Sequence, residues 1–133
     1  MNKVAIIEAR MKSSRLPGKV LKPILGKPML ELLVERIRQA RSIDQIVVAT
    51  TDSDSDDPIE ALAQRLNIGC FRGSEDDVLD RVLQAARQYH ADIIVEITGD
   101  CPLIEAEKID QMLRSYQYMK CDIMMNRLDG TYP

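Results

Sequence analysis

Short apolar runs alternate along this chain with apolar residues at helical spacing, and that alternation limits it to few folds. Val4-Ala5-Ile6-Ile7, Ile46-Val47-Val48 and Ile93-Ile94-Val95 are continuous and mostly β-branched. Such runs suit strands covered on both faces. We expect strands at 3–8, 45–50, 68–71, 92–97 and 121–125. Between them, Leu30, Leu33, Val34 and Ile37 recur at i, i+3, i+4 and i+7. Ile59, Leu62, Ala63 and Leu66 repeat the pattern, with Pro58 at a first helical position. A third helix is expected to start at Ser74, where Ser74 and Asp77 can form a capping box. It would turn Val78, Val82, Ala85 and Tyr89 inward. A fourth covers about 105–118 and uses Ile109, Met112, Leu113 and Tyr116. Strands alternating with helices imply right-handed crossovers and a mostly parallel sheet, hence an α/β chain.

A length of 133 residues suits one domain with one sizeable core. No segment approaches the ~18 apolar residues of a membrane helix, and Glu8 interrupts the N-terminal apolar run as a strand end, not a signal peptide. Cys70, Cys101 and Cys121 are odd in number and widely spaced, which fits reduced thiols in a cytoplasm. The net charge of −3, with Phe71 and four Tyr as the whole aromatic complement, argues against nucleic-acid binding.

Against that acidic balance, residues 9–28 (ARMKSSRLPGKVLKPILGKP) stand out. Arg10, Lys12, Arg15, Lys19, Lys22 and Lys27 lie there without one acidic residue. They read as a loop between the first strand and first helix, and unstructured connections longer than ~12–15 residues are usually functional or disordered. In a parallel sheet, ligands bind outside the carboxyl ends of the strands. This loop falls on that edge, as do Thr50-Thr51-Asp52, Arg72-Gly73 and Gly99-Asp100. Neither G-x-x-x-x-G-K-[ST] nor G-x-G-x-x-G after the first strand is present, so P-loop and dinucleotide chemistry are disfavoured. Gly18 lets backbone N–H groups approach phosphate oxygens. Arg10 and Arg15 offer planar forks and Lys19 a point charge. Lys12, Lys22 and Lys27 read as solvated or structural.

Ala9-Arg10, Ser14-Arg15-Leu16-Pro17-Gly18-Lys19 and Gly26-Lys27-Pro28 together resemble the cytidylyltransferases that activate acidic sugars, such as acylneuraminate and Kdo, as CMP-sugars. Val48-Ala49-Thr50-Thr51-Asp52 and Thr98-Gly99-Asp100-Cys101-Pro102 agree with that family's strand-end segment and its G-D-x-P turn. The stretch from Phe71 to Arg81 looks closest to the branch named for spore coat polysaccharide biosynthesis protein F. The resemblance implies a Rossmann-like three-layer α/β/α arrangement, the nucleotide-diphospho-sugar transferase fold. It implies that 1–133 is the nucleotide-binding, N-terminal portion of a nucleotidyltransferase domain. A sugar hydroxyl would attack the α-phosphate of CTP and pyrophosphate would leave. Arg10, Arg15 and Lys19 would hold the triphosphate and stabilise the leaving group, and Asp100 would coordinate Mg²⁺. Ala9, Ser14, Arg72 and Arg81 would recognise base and ribose. Related enzymes take a second metal carboxylate, sugar-binding residues and often a dimer contact from later sequence, so turnover by these residues alone is not expected.

Two other readings stay open at this stage. Asp52-Ser53-Asp54 fits the D-x-D pattern of glycosyltransferases that consume nucleotide sugars, and a non-catalytic nucleotide-binding or dimer-forming remnant is the third possibility. Asp52, Asp54, Asp56 and Asp57 otherwise read as a solvated turn and helix cap. His90 reads as a helix-end cation, and Cys101 as a small buried residue.

Overall fold

The computed structural model describes residues 1–126. Four parallel strands form its centre: β1 (Lys3–Glu8), β4 (Gln45–Thr51), β5 (Gly69–Gly73) and β6 (Ile93–Thr98), in the order β5-β4-β1-β6. A two-residue hairpin, β2 (Pro23–Ile24) and β3 (Lys27–Pro28), stands apart. The helices are α1 (Met29–Ile37), α2 (Asp57–Arg65), α3 (Val78–Gln88) and α4 (Ala106–Met119).

Period-two alternation along β1 divides the core. Ala5 and Ile7, with Val48 of β4, pack against Leu30, Leu33, Val34 and Ile37 of α1, Ile59 and Leu62 of α2, and Ile109 and Leu113 of α4. Val4 and Ile6, with Val47 and Ala49, pack against Val82, Ala85 and Ala86 of α3. Helices therefore cover both faces, as a three-layer α/β/α arrangement requires. Fully burying such aliphatic side chains is worth about 1.5–3 kcal/mol each, so these two layers fix where the strand ends sit.

Three local expectations need correction. Residues 121–125 are not a strand: among the described residues they pair with no other strand, and Ile123 and Met125 are 78% and 70% exposed. The third helix starts at Val78, not Ser74. The two capping groups act in series: Ser74 Oγ accepts from the Asp77 N–H, and Asp77 Oδ1 accepts from the Asp80 N–H, so the second cap opens the helix. Residues 9–28 are not without regular structure either. They hold a 3₁₀ turn at Lys19–Leu21 as well as the hairpin. At the hairpin tip, Leu25 (φ 50°) is fully exposed and Gly26 has φ 83°. The nucleotide-binding portion expected over 1–133 ends in residues 127–133, which lie outside the described residues.

Candidate active site

The carboxyl ends of β1 and β6 meet at a close backbone approach. The Gly99 N–H donates to the Glu8 carbonyl at 2.9 Å, and a Cβ on Gly99 would sit 2.7 Å from that oxygen. Only glycine fits there without movement. Above this junction lies an open cleft of about 430 Å³. Ala9, Arg10, Ser14, Arg15, Lys19, Arg81 and Asp100 all line it, so seven of the eight residues singled out in the sequence come together. Glu8, Lys12, Ser13, Val20, Val78, Thr98 and Gly99 complete the lining.

The basic loop is shaped by its own backbone. The Gly18 N–H donates to the Met11 carbonyl at 2.8 Å, with Gly18 in the left-handed region at φ 71°. That bond closes residues 11–18 and leaves Arg10 and Lys19 flanking its two ends. Lys19 reaches Asp100 Oδ2 at 3.5 Å, and Lys12 reaches Glu75 Oε1 at 2.8 Å. Among the described residues, Arg10 and Arg15 enter no salt bridge.

Arg81 rises from α3 into the floor of the cleft and is only 2% exposed. One guanidinium nitrogen, Nη1, donates to the Ser74 carbonyl at 2.7 Å, while Nε has no partner. Burial pushes its pKa down from the ordinary arginine value, although Glu8 opposes that. A buried donor without an acceptor is costly. On the same side, burial raises the Glu8 carboxyl, with Glu96 adding to the effect. Asp100 moves the other way: a hydrogen bond from Thr98 and the Lys19 ammonium outweigh burial and hold its carboxyl below the usual range.

Arg72 is the residue that does not come to the cleft. Its Nε donates to the Thr51 carbonyl, its Nη2 to the Ser53 carbonyl, and its Nη1 to Asp57 and Glu60 at 2.6 and 2.8 Å. Those two carboxylates raise its pKa, Asp57 most. The guanidinium is committed to fastening β5 to the start of α2. Asp52-Ser53-Asp54 also lies away from the cleft lining, and the Asp52 N–H is used by the Gly73 carbonyl. The expectation that Asp56 is part of a solvated turn is corrected, because it is 2% exposed. Cys101 is exposed rather than buried, and Cys70, pushed up to about 11 by burial, is no nucleophile.

Oxygen chemistry suits the acidic corner. Among the described residues no group of three or more His, Cys, Asp or Glu could hold a metal by itself. An ionised Asp100 at the cleft wall nevertheless fits Mg²⁺, which commonly takes one or two carboxylates and completes its shell with water and substrate phosphates.

Residues 4–128 match a family model described as cytidylyltransferase. The chain is 40% identical over 115 residues to the spore coat polysaccharide biosynthesis protein SpsF of Bacillus subtilis, covering 84% of this chain and 48% of that protein. Among solved structures, a cytidylyltransferase from Leptospira borgpetersenii superposes with a TM-score of 0.84 at 40% identity, over 89% of this chain and 50% of that one. A CMP:2-keto-3-deoxy-manno-octonic acid synthetase complexed with CTP gives a TM-score of 0.77 at 30% identity, over 89% and 48%. The chain thus spans about half the length of these relatives.

Proposed function

The chain belongs to the cytidylyltransferase family, and from that premise we propose that it is the nucleotide-binding part of an enzyme that activates an acidic sugar as its CMP-sugar. The reaction would be attack of a sugar hydroxyl on the α-phosphate of CTP with release of pyrophosphate. The products would serve surface or spore coat polysaccharide, as the name of the Bacillus relative suggests. One observation carries the reading: a single cleft at the carboxyl ends of two parallel strands gathers Arg10, Arg15, Lys19, Arg81 and Asp100.

In this mechanism Arg10 and Arg15 meet phosphate oxygens with planar, two-pronged donors, and Lys19 supplies a mobile charge. Because β- and γ-phosphate charge grows as pyrophosphate leaves, fixed cations on that side favour the transition state over the ground state. Arg81 offers its unpaired Nε–H to an acceptor on the base or ribose. Ala9 and Ser14 line the same wall and would border the nucleoside. Asp100 would hold Mg²⁺. That ion, when bound, neutralises and aligns the phosphate oxygens. Asp100 also pairs with the Lys19 ammonium, 3.5 Å away. Free thiols at Cys70, Cys101 and Cys121 are consistent with work in a reducing compartment such as the cytoplasm.

Thermal stabilisation by nucleotides tests the reading. A ligand at 100 times its Kd stabilises the protein by about 2.7 kcal/mol. CTP with Mg²⁺ is expected to raise Tm more than ATP, GTP or UTP. Equal shifts for all four would refute the cytosine assignment, and no shift with any would refute the nucleotide reading itself.

A further inference from the structure

Four aspartates crowd residues 52–57, and the structure sets one of them apart. Asp56 is 2% exposed, whereas Asp52, Asp54 and Asp57 are exposed. An aspartate at the start of a helix ordinarily caps it. Asp56 precedes α2 but makes no side-chain cap to it, and the first turn already carries Asp57 and Glu60 to favour the helix dipole. Its carboxylate points elsewhere. Oδ1 accepts the Met11 N–H at 2.7 Å, and Oδ2 accepts the Thr51 hydroxyl. Burying a carboxylate is costly unless hydrogen bonds replace its water, and these two bonds do so.

Met11 is where this matters. Its N–H is held by Asp56, and its carbonyl is held by the Gly18 N–H at 2.8 Å. Arg10 directly precedes Met11, and Lys19 directly follows Gly18. Asp56, Met11 and Gly18 therefore form a relay that sets the positions from which both cations enter the cleft.

We propose that Asp56 is a positioning residue for phosphate binding, holding Arg10 and Lys19 in register through the Met11 backbone. The inference rests on the phosphate-binding reading of the cleft. It is tested on the full chain, with inorganic triphosphate as the probe, by calorimetry together with amide exchange. Asp56→Asn keeps an oxygen for the Met11 N–H and can donate to Thr51, since a hydroxyl both donates and accepts. Asp56→Ala keeps neither bond. Small misplacements of binding groups have large effects, so Asp56→Ala is expected to bind triphosphate about tenfold more weakly. The Met11 and Gly18 amides should exchange faster in it while β1 and β4 amides stay protected. Asp56→Asn should bind within about threefold of wild type, the size of a neutral-for-charged hydrogen-bond exchange.

A folded Asp56→Ala with wild-type triphosphate affinity would overturn the proposal, as would Asp56→Asn binding no better than Asp56→Ala. If Asp56→Ala does not fold, Thr51→Val decides instead, because it leaves Asp56 free to rotate. Weaker triphosphate binding by about two- to threefold supports the relay, and unchanged binding overturns it. Wild type failing to bind triphosphate would refute the phosphate reading as well, which separates that failure from a failure of the relay alone.

Discussion

Two regions at the carboxyl edge of the sheet handle arginine in opposite ways. At the β4–β5 side, Arg72 spends its guanidinium on two carbonyls and two carboxylates. At the β1–β6 side, Arg81 is more deeply buried in the floor of a cleft yet leaves Nε unpaired. Both residues lie in the stretch from Phe71 to Arg81, nine positions apart. The difference teaches that two arginines close in sequence part by their partners: protein acceptors take up every guanidinium nitrogen of Arg72 and leave Nε of Arg81 unpaired.

The sharpest way to break this comparison is to make the same change on both sides. Arg81→Met should weaken nucleotide binding about 10–100-fold, the loss of a hydrogen bond to a charged donor, with little loss of Tm because a buried cation is replaced by an apolar side chain. Arg72→Met should do the reverse, lowering stability by about 1–3 kcal/mol through unpaired Asp57 and Glu60 and two freed carbonyls, while nucleotide affinity holds. Denaturant unfolding and nucleotide titration on the two variants check both. If Arg72→Met lost affinity at unchanged stability, the division between the two regions would collapse.

Arg10→Ala and Arg15→Ala come next. Each should weaken CTP binding about tenfold, as removal of a charge-assisted contact does, with a flatter dependence of Kd on salt than wild type shows. Titration at several ionic strengths reads this, and a slope unchanged in both variants would count against a phosphate role.

Asp100→Asn should abolish the Mg²⁺ dependence of CTP binding. In the absence of metal it should bind CTP about two- to fivefold more tightly than wild type, because an exposed ion pair of modest worth no longer occupies Lys19. In wild type, a hydrogen bond from Thr98 and the Lys19 ammonium hold the Asp100 carboxyl below the ordinary range, so it stays ionised, and able to favour the metal, to lower pH than an ordinary carboxyl would. Calorimetry with and without Mg²⁺ at pH 4 to 7 tests this; metal dependence surviving in the variant would move the ion elsewhere.

The smallest effect is expected at Glu8. Its pKa is raised by burial, so ionised Glu8 costs stability at pH above its folded value, and both folded and unfolded forms are protonated below about 4.3. Glu8→Gln should therefore raise Tm slightly at pH 7 and lose that advantage as pH falls below about 4. A gain that survived at acid pH would mean that packing, not ionisation, is responsible.

How much was legible beforehand depended on whether a signal was local. The four sheet strands and four helices carry their own periodicity, so their existence could be read directly. Residues 121–125 carry apolar side chains too, but a strand exists only with a neighbour to bond, which no local pattern announces. The caps at Ser74 and Asp77 were both visible, and their order of action was not. Gathering Arg10, Arg15, Lys19 and Asp100 followed from all four lying after strands of one parallel sheet. The separation of Arg72 from Arg81, and of Asp56 from its three neighbours, is a matter of burial and tertiary partners. Four aspartates within six residues look alike until the chain is folded.

The tip of the β2–β3 hairpin carries a different lesson. Leu25 sits at φ 50°, where a bulky side chain is uncommon, and its side chain is entirely in solvent. Asparagine tolerates that backbone far better and, before Gly26, is the residue a tight hairpin prefers. The position is thus an unspent margin for protein engineering: stability can be added there, outside the cleft lining, to offset what substitutions in the cleft take away.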